Sequence, residues 1–302
     1  MPTYDLIGDI HGHANELKLL LEKLGYTPKG KSFVNPSRTA IFIGDYIDRG
    51  LQIKETLEIV RSMVDSGNAL AIMGNHEFNA ICYHLPDGKG GFLRKHTGMN
   101  AKNHQTTLNS FSQTEWDEWI KWLMRLPITL ELPEFNVVHA CWDKKMIDFL
   151  DPWLSQRELP YEFFRLTSIP KSKEMIATEI LLKGPELPLI SKYIDIEGNE
   201  RDKVRFKWWI DPIGKPLKDI SISVSDQAKA HNEFQFEYPI PSHISNTWDI
   251  KKPVFFGHYW LEGDPIWNSE YACCLDYSVA KNGKLVAYSI DSKKFTCVDS
   301  HY

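Results

Sequence analysis

Gly8-Asp9-Ile10-His11-Gly12, Gly44-Asp45-Tyr46-Ile47-Asp48-Arg49-Gly50 and Gly74-Asn75-His76-Glu77 decide the reading of this chain, because each stands directly behind a short apolar run. Tyr4-Asp5-Leu6-Ile7 precedes the first block, Ala40-Ile41-Phe42-Ile43 the second and Leu70-Ala71-Ile72-Met73 the third. Short apolar runs closed by glycine read as buried strands. Behind the first block, Leu17, Leu20, Leu21 and Leu24 recur at helical spacing, and behind the second Ile53, Leu57, Val60 and Val64 do the same. The unit is strand, glycine-rich loop, helix. Loops at the carboxyl ends of such strands gather on one sheet edge, where ligands bind. Asp9, His11, Asp45, Asn75 and His76 are therefore expected to converge, with the glycines supplying the sharp turns.

Two later segments have the same form. Phe135-Asn136-Val137-Val138 runs into His139-Ala140, and Pro253-Val254-Phe255-Phe256 into Gly257-His258. A histidine at the end of an apolar run is well sited to ligate a metal, although a satisfied core histidine explains either block taken alone. Carboxylate, imidazole and amide oxygen suit Mn, Fe, Zn or Mg, and no cysteine stands in a block. Two cations held about 3.5–4 Å apart need a shared carboxylate, and Asp45 is the natural bridge.

The order GDIHG, GDYIDRG, GNHE, HA and GH resembles the phosphoprotein phosphatase family of the calcineurin-like metallophosphoesterases, which includes serine/threonine phosphatases and diadenosine tetraphosphatases. Motif identity covers residues 5–77, His139 and Gly257-His258. Chance is a poor explanation, since GNHE alone is expected in on the order of one chain in a thousand. The resemblance implies an α/β, four-layer calcineurin-like metallophosphoesterase fold, with two mixed β-sheets packed face to face and flanked by α-helices. It implies two divalent metal ions, with Mn favoured over Fe, Zn or Mg. Asp9, His11 and Asp45 would hold the first and Asp45, Asn75, His139 and His258 the second. Arg49 would bind phosphoryl oxygens as a planar cation. His76 would protonate the leaving oxygen while Asp48 orients it.

The chain departs from the family pattern at two places. His139 is followed by Ala140-Cys141-Trp142 rather than two glycines. The family's second phosphate-binding Arg-Gly pair is matched only by Lys183-Gly184, so Lys183 stands as a point charge or, equally, a solvated surface lysine. Asp276 and Tyr277, behind Ala272-Cys273-Cys274-Leu275, resemble the family's segment at the active-site mouth, with Tyr277 as a pocket wall; a strand-end turn explains both as well. His13 reads as a cap or rim residue. His84, His96, His104, His231, His243 and His301 have no strand-end context and default to surface histidines.

At 302 residues, 42% hydrophobic and 12% aromatic, the chain is expected to form a single domain over 1–302, with a substrate-roof insertion around 145–250. The region between His139 and His258 is longer than one crossover requires. It offers the polar turn Glu197-Gly198-Asn199-Glu200, a strand candidate in Lys207-Trp208-Trp209-Ile210 and a returning loop at Pro239-Ile240-Pro241. Residues 85–104 form a second irregular stretch, and both are read as roofing the metal edge. Trp208 and Trp209 are either a stacking platform or, more commonly for such pairs, core. Asn282-Gly283 between apolar runs signals a hairpin, continued as a meander through Phe295-Thr296-Cys297-Val298.

No apolar run is long enough for a membrane span, and Met1-Pro2-Thr3-Tyr4 leads straight into a strand without an export signal. Five cysteines without CxxC spacing fit a reducing cytoplasm. A net charge of −5 with dispersed Lys and Arg does not suggest an extended nucleic-acid surface, and none is expected. The expected activity is hydrolysis of a phosphomonoester, protein-phosphatase-like, on a phosphorylated protein or a small phosphoester or nucleotide. The alternatives are hydrolysis of diadenosine tetraphosphate and related dinucleoside polyphosphates, and a non-catalytic metal-binding regulator.

Overall fold

A computed structural model describes residues 3–194, 200–222, 224 and 247–301. The motif-bearing part begins with β1 (Thr3–Ile7) and α1 (Ala14–Lys23), a small hairpin of β2 (Thr27–Lys29) and β3 (Ser32–Val34), then β4 (Arg38–Phe42), α2 (Ile53–Asp65), β5 (Ala69–Ala71) and α3 (Asn75–His84). Next come α4 (Gly98–Leu108), α5 (Gln113–Leu123), β6 (Thr129–Glu131), β7 (Asn136–Val138), α6 (Lys144–Leu154), α7 (Tyr161–Thr167) and α8 (Lys173–Lys183). The hairpin β8 (Glu186–Ile194) and β9 (Glu200–Arg205) and the short α9 (Leu217–Ile220) follow. The chain closes with β10 (Val254–Phe256), β11 (Ala272–Cys274), β12 (Asp276–Tyr277), β13 (Lys284–Ser289) and β14 (Lys294–Asp299).

Two mixed sheets result. In the first, β1, β4 and β5 are parallel, and β13 joins β1 antiparallel, with β12 and β14 antiparallel on β13. In the second, β7, β10 and β11 are parallel and β6 is antiparallel to β7. The period-two alternation of strands separates two buried surfaces. Leu6, Ile41 and Val286 from the first sheet meet Phe135, Val137, Phe255 and Cys273 from the second in an inter-sheet core. Their neighbours Ile7, Phe42, Val138 and Phe256 face outward into the larger core with Leu17, Leu20, Leu57, Val60 and Leu181 of α1, α2 and α8. Both faces of each central strand are therefore apolar, which is why the sequence shows continuous runs there. The outcome is the expected four-layer helix, sheet, sheet, helix arrangement.

Three local expectations fail. Residues 98–104 of the stretch read as irregular belong to α4. Lys207-Trp208-Trp209-Ile210 forms a turn, not a strand. Trp208 and Trp209 are buried against Phe256, and Trp209 also against Tyr259, so burial of the rings fixes this segment. They are core and form no stacking platform. Ala272-Cys273-Cys274 also does not form a hairpin with Lys284–Ser289, because β11 is parallel to β10 in the second sheet. The chain changes sheet at Leu275, and the short β12 supplies the antiparallel partner of β13, with Asn282 left-handed in the connection. The β12, β13, β14 meander is present. Gly198, Asn199, His231, Pro239-Ile240-Pro241 and His243 lie outside the described residues.

Candidate metal centre

The carboxyl ends of five strands point to one edge at the seam between the sheets. Asp9 follows β1, Asp45 follows β4 and Asn75 follows β5, all from the first sheet; His139 follows β7 and His258 follows β10, from the second. The backbone there is tightly folded. His11, Asp45 and His258 have φ of 48°, 53° and 73°. Non-glycine residues in this left-handed region cost of order 1–3 kcal/mol each and collect at functional sites. The sequence placed these turns on the glycines, yet the candidate ligands carry much of the strain themselves. Glycine is still needed where backbones meet: a Cβ on Gly44, itself at φ 101°, would lie 2.6 Å from Gly74 Cα, and one on Gly257 would lie 1.9 Å from Asp9 Oδ1.

Asp45 stands at the middle of the edge. Its Oδ2 is 3.6 Å from His11 Nε2, and its Oδ1 is 3.3 Å from His139 Nε2. Asn75 Oδ1 lies 3.1 Å from His139 Nε2 and 2.6 Å from His258 Nδ1. His258 N–H donates to Asp9 Oδ2 at 3.0 Å. His11, Asp45 and His76 offer donor atoms within 4.8 Å of one another, and so do Asp45, His139 and His258.

The ring orientations suit ligation. His11 Nδ1–H donates to the Ile47 carbonyl and His139 Nδ1–H to the Ile43 carbonyl, both at 2.9 Å, which leaves each Nε2 facing the site. Asp9 Oδ1, His11 Nε2 and His258 Nε2 are buried without a hydrogen-bond partner. A buried polar atom left unpaired costs about 1–3 kcal/mol, so three together fit cation ligands better than packing residues.

Electrostatics point the same way. Burial drives the His11 pKa down to about 3 and His258 well below its usual value, the latter helped by Arg205 and His139, so both imidazoles are neutral. Burial opposes ionisation of Asp45, but His139, His76 and His11 outweigh it and hold its carboxylate well below the usual range. Asp9 is pushed up by burial, Asp276 and Asp45. His139 resists burial because Asp45 and Asp9 lie beside it, and its pKa stands at about 10. Such a crowded acid and base set is what cations at this edge would relieve.

Beside this edge, His76 Nδ1–H donates to Asp48 Oδ2 at 2.5 Å, and His76 Nε2 is 4.0 Å from Asp45 Oδ2. Burial works against charging His76, yet Asp45 and Asp48 raise its pKa above the usual value. Arg49 Cζ lies 4.1 Å from the Trp260 ring centroid, and Lys281 Nζ lies 4.0 Å from it. Trp260 N–H donates to Asp276 Oδ2 at 2.8 Å, so the buried Asp276 anchors the residue that covers Arg49.

Lys183 and Tyr277 line the same cavity as Arg49. Lys183 Nζ is paired with Glu179 at 3.0 Å, and the buried Tyr277 hydroxyl accepts from Ile266 N–H at 3.0 Å. His13 occupies the N-cap position of α1, but its Nδ1–H reaches back to the Ile10 and His11 carbonyls and its side chain accepts no helix N–H. His84 lies 3.4 Å from Asp117, His96 is stacked on Tyr83, and His301 is exposed.

His104 corrects the surface expectation: it is buried and its Nδ1–H donates to Asp48 Oδ1 at 2.7 Å. It arrives on α4, where no strand end marks it. Glu77 is a second residue whose role the motif pattern does not mark. It accepts the N–H groups of Asp45, Tyr46 and Gly74 at 2.8, 2.8 and 3.0 Å, tying the loops after β4 and β5 together. Arg205, at the end of β9, faces the same cavity as Arg201 and Lys203. Their period-two spacing in Glu200-Arg201-Asp202-Lys203-Val204-Arg205 was the signal that marks a common strand face.

Residues 3–258 match the profile of the calcineurin-like phosphoesterases. Over 74 residues the chain is 42% identical to the asymmetrical bis(5'-nucleosyl)-tetraphosphatase PrpE of Anoxybacillus flavithermus, covering 24% of this chain and 30% of that protein. Over 133 residues it is 30% identical to the symmetrical bis(5'-nucleosyl)-tetraphosphatase of Shewanella frigidimarina, covering 44% and 41%. The chain thus spans less than half the length of these relatives. Its fold is similar to a cold-active protein-tyrosine phosphatase of a psychrophilic Shewanella, with a TM-score of 0.52 at 14% identity, covering 100% of this chain and 81% of that one. With the match running over most of its length and a His and Asp edge fit for metal, the chain belongs to the calcineurin-like phosphoesterase family, metal-dependent hydrolases of phosphoric esters.

Proposed function

We propose that this protein hydrolyses a phosphoric anhydride of the dinucleoside polyphosphate class. The observation that carries the proposal is a cavity of about 1270 Å³ which opens from Asp45, Arg49, Asn75, His76 and His258 and continues along Lys183, Arg201, Lys203, Arg205 and Lys207. A single phosphoryl group needs only the first part of it; the space exceeds that of common small-molecule sites, about 300–1,000 Å³. The cations of this continuation, interspersed with Glu179 and Glu186, are suited to further phosphates. The similarity to bis(5'-nucleosyl)-tetraphosphatases over the motif-bearing part of the chain supports this alternative above the phosphomonoester reading.

In this reading Asp9, His11 and Asp45 hold one cation, and Asp45, Asn75, His139 and His258 the other, with Mn the first ion to try among Mn, Fe, Zn and Mg. Bound divalent cations supply charge stabilisation and an activated water nucleophile. Arg49 holds phosphoryl oxygens, kept over Trp260. His76 Nε2, turned toward the edge by the bond from Nδ1 to Asp48, donates a proton to the leaving oxygen. Lys183 and Tyr277 act on the substrate from the cavity wall. The five free cysteines, four of them buried, support a reducing compartment such as the cytoplasm.

The test is product analysis on the Mn-supplemented protein with diadenosine tetraphosphate, a phosphoserine peptide and a phosphotyrosine peptide. Turnover of the dinucleotide in preference to both peptides supports the proposal, with two ADP or AMP plus ATP reporting which anhydride is cut. Preference for a peptide overturns it.

A further inference from the structure

Asp48 does more than meet His76. Its Oδ2 accepts from His76, while Oδ1 accepts from His104 Nδ1–H at 2.7 Å and from the Thr107 hydroxyl at 2.6 Å. The Asp48 N–H donates to Thr107 Oγ1 at 2.9 Å, so Thr107 grips both the backbone and the carboxylate of one residue. His104 and Thr107 are three apart on α4 and therefore share a helix face. That face is buried: Thr107 is inaccessible and His104 nearly so. The His104 ring sits against Tyr83 and Trp116, at centroid distances of 5.4 and 5.7 Å. Asp48 is itself left-handed, at φ 65°.

We propose that His104 and Thr107 are positioning residues for the leaving-group proton transfer, acting through Asp48 on His76. A carboxylate held by one donor can swing about its side-chain torsions. Here two donors on Oδ1 fix its plane, so Oδ2 presents its lone pair to His76 Nδ1–H in one direction. The imidazole then keeps Nε2 aimed at the metal edge, 4.0 Å from Asp45 Oδ2. The proton that moves is the one on His76 Nε2, which passes to the departing oxygen as its bond to phosphorus breaks; His104 and Thr107 exchange none. Geometry errors at a proton donor are costly, because general acid catalysis contributes about 10²–10⁴-fold and depends on the donor lying within hydrogen-bond reach. The arrangement also gives the irregular stretch before α4 a purpose beyond roofing: it delivers a helix face to Asp48.

The inference rests on His76 as proton donor and not on which phosphate compound is the natural substrate, so simple aryl phosphates test it. The full-length, Mn-loaded protein and its Thr107→Val, His104→Leu, His104→Asn and His76→Ala variants are assayed on 2,4-dinitrophenyl, p-nitrophenyl and phenyl phosphate. A leaving group that departs unaided needs no proton, whereas phenolate does. The expected result is that Thr107→Val and His104→Leu lower kcat on phenyl phosphate by about tenfold or more, leave 2,4-dinitrophenyl phosphate within a factor of two or so, and leave KM unchanged. His104→Asn, whose amide N–H can take the place of Nδ1–H, recovers most of the loss. An equal loss on all three esters, or none, overturns the positioning role. His76→Ala separates the causes: a steep leaving-group dependence there without one in the support variants sinks only the positioning role, and its absence in His76→Ala sinks the proton-donor reading and the inference together. Thr107→Val preserves shape, so the test stands even where His104→Leu fails to fold.

Discussion

Arg49 and Trp260 form a stacked pair at the mouth of the site, with the guanidinium carbon 4.1 Å from the indole centroid and Lys281 on the same ring at 4.0 Å. Trp260 is held at φ 53° by its backbone bond to Asp276, so the pair joins two segments far apart in sequence. A cation over indole is worth about 0.5–2 kcal/mol. Trp260→Ala is therefore expected to raise KM for a phosphate substrate by about 2–30-fold with a smaller change in kcat. Steady-state kinetics check this, and an unchanged KM would show that Arg49 needs no such support.

Glu77 lies at the start of α3 with no access to solvent and accepts N–H groups from two loops. Burial and the neighbouring Asp45 push its pKa up to about 7. Glu77→Gln keeps the volume but turns an amide N–H toward backbone donors. Hydrogen bonds to charged groups contribute about 1.5–3 kcal/mol, and a loss of that order in unfolding free energy is expected. Urea denaturation of the two proteins measures it; equal midpoints and slopes would remove Glu77 from the account.

Metal loading is expected to release protons. His139, at about 10, carries a proton in the metal-free protein near neutral pH and must lose it to ligate, while burial, Asp276 and Asp45 push Asp9 toward its protonated form. Affinity must then rise with pH from neutrality up to about 10, where His139 no longer has a proton to displace. Calorimetric titration of Mn into chelator-stripped protein, in buffers of different ionisation enthalpy, reads the release directly. Identical apparent enthalpies in Pipes and Tris would contradict it.

Asp45 has its two oxygens directed at different histidines, His11 and His139. Asp45→Asn is expected to abolish turnover, by a factor of 10³ or so on the scale of single metal-site catalytic groups, while the circular dichroism spectrum is retained. Activity surviving in a folded variant would remove Asp45 as the shared carboxylate.

Arg205 and Lys183 offer a choice of second phosphate cation. Lys183 is paired with Glu179 at 3.0 Å, whereas Arg205 Nε makes no hydrogen bond and only a longer ion pair with Glu186 at 3.9 Å, and its charge is felt at His258. Arg205→Ala is expected to raise KM for diadenosine tetraphosphate by about tenfold, the value of one charged hydrogen bond, and Lys183→Ala by less. The reverse order in a side-by-side assay would restore the lysine.

The sequence exposes most of the sheet edge because five candidate ligands directly follow apolar strands, and chain order alone brings Asp9, Asp45 and Asn75 together through parallel β1, β4 and β5. What it hides has a physical cause in each case. His104 comes from a helix, where nothing in the local pattern separates a buried histidine from an exposed one. The burial of Trp208 and Trp209 against Phe256 overrides the strand propensity of an aromatic run. The change of sheet between Cys274 and Asp276 needs only a residue or two, too short a span for any periodicity to register.

Strands β8 and β9 pair with each other and, among the described residues, with neither of the two large sheets. The wall bearing Arg201, Lys203 and Arg205 is thus a separate attachment to the frame that holds Asp9, Asp45, Asn75, His139 and His258. Selection can rewrite such a wall residue by residue without retuning the reacting groups, so two lineages sharing every ligand can part company in diet. In the proposed reading, this hairpin, more than the motifs, is where the choice among phosphate compounds is made.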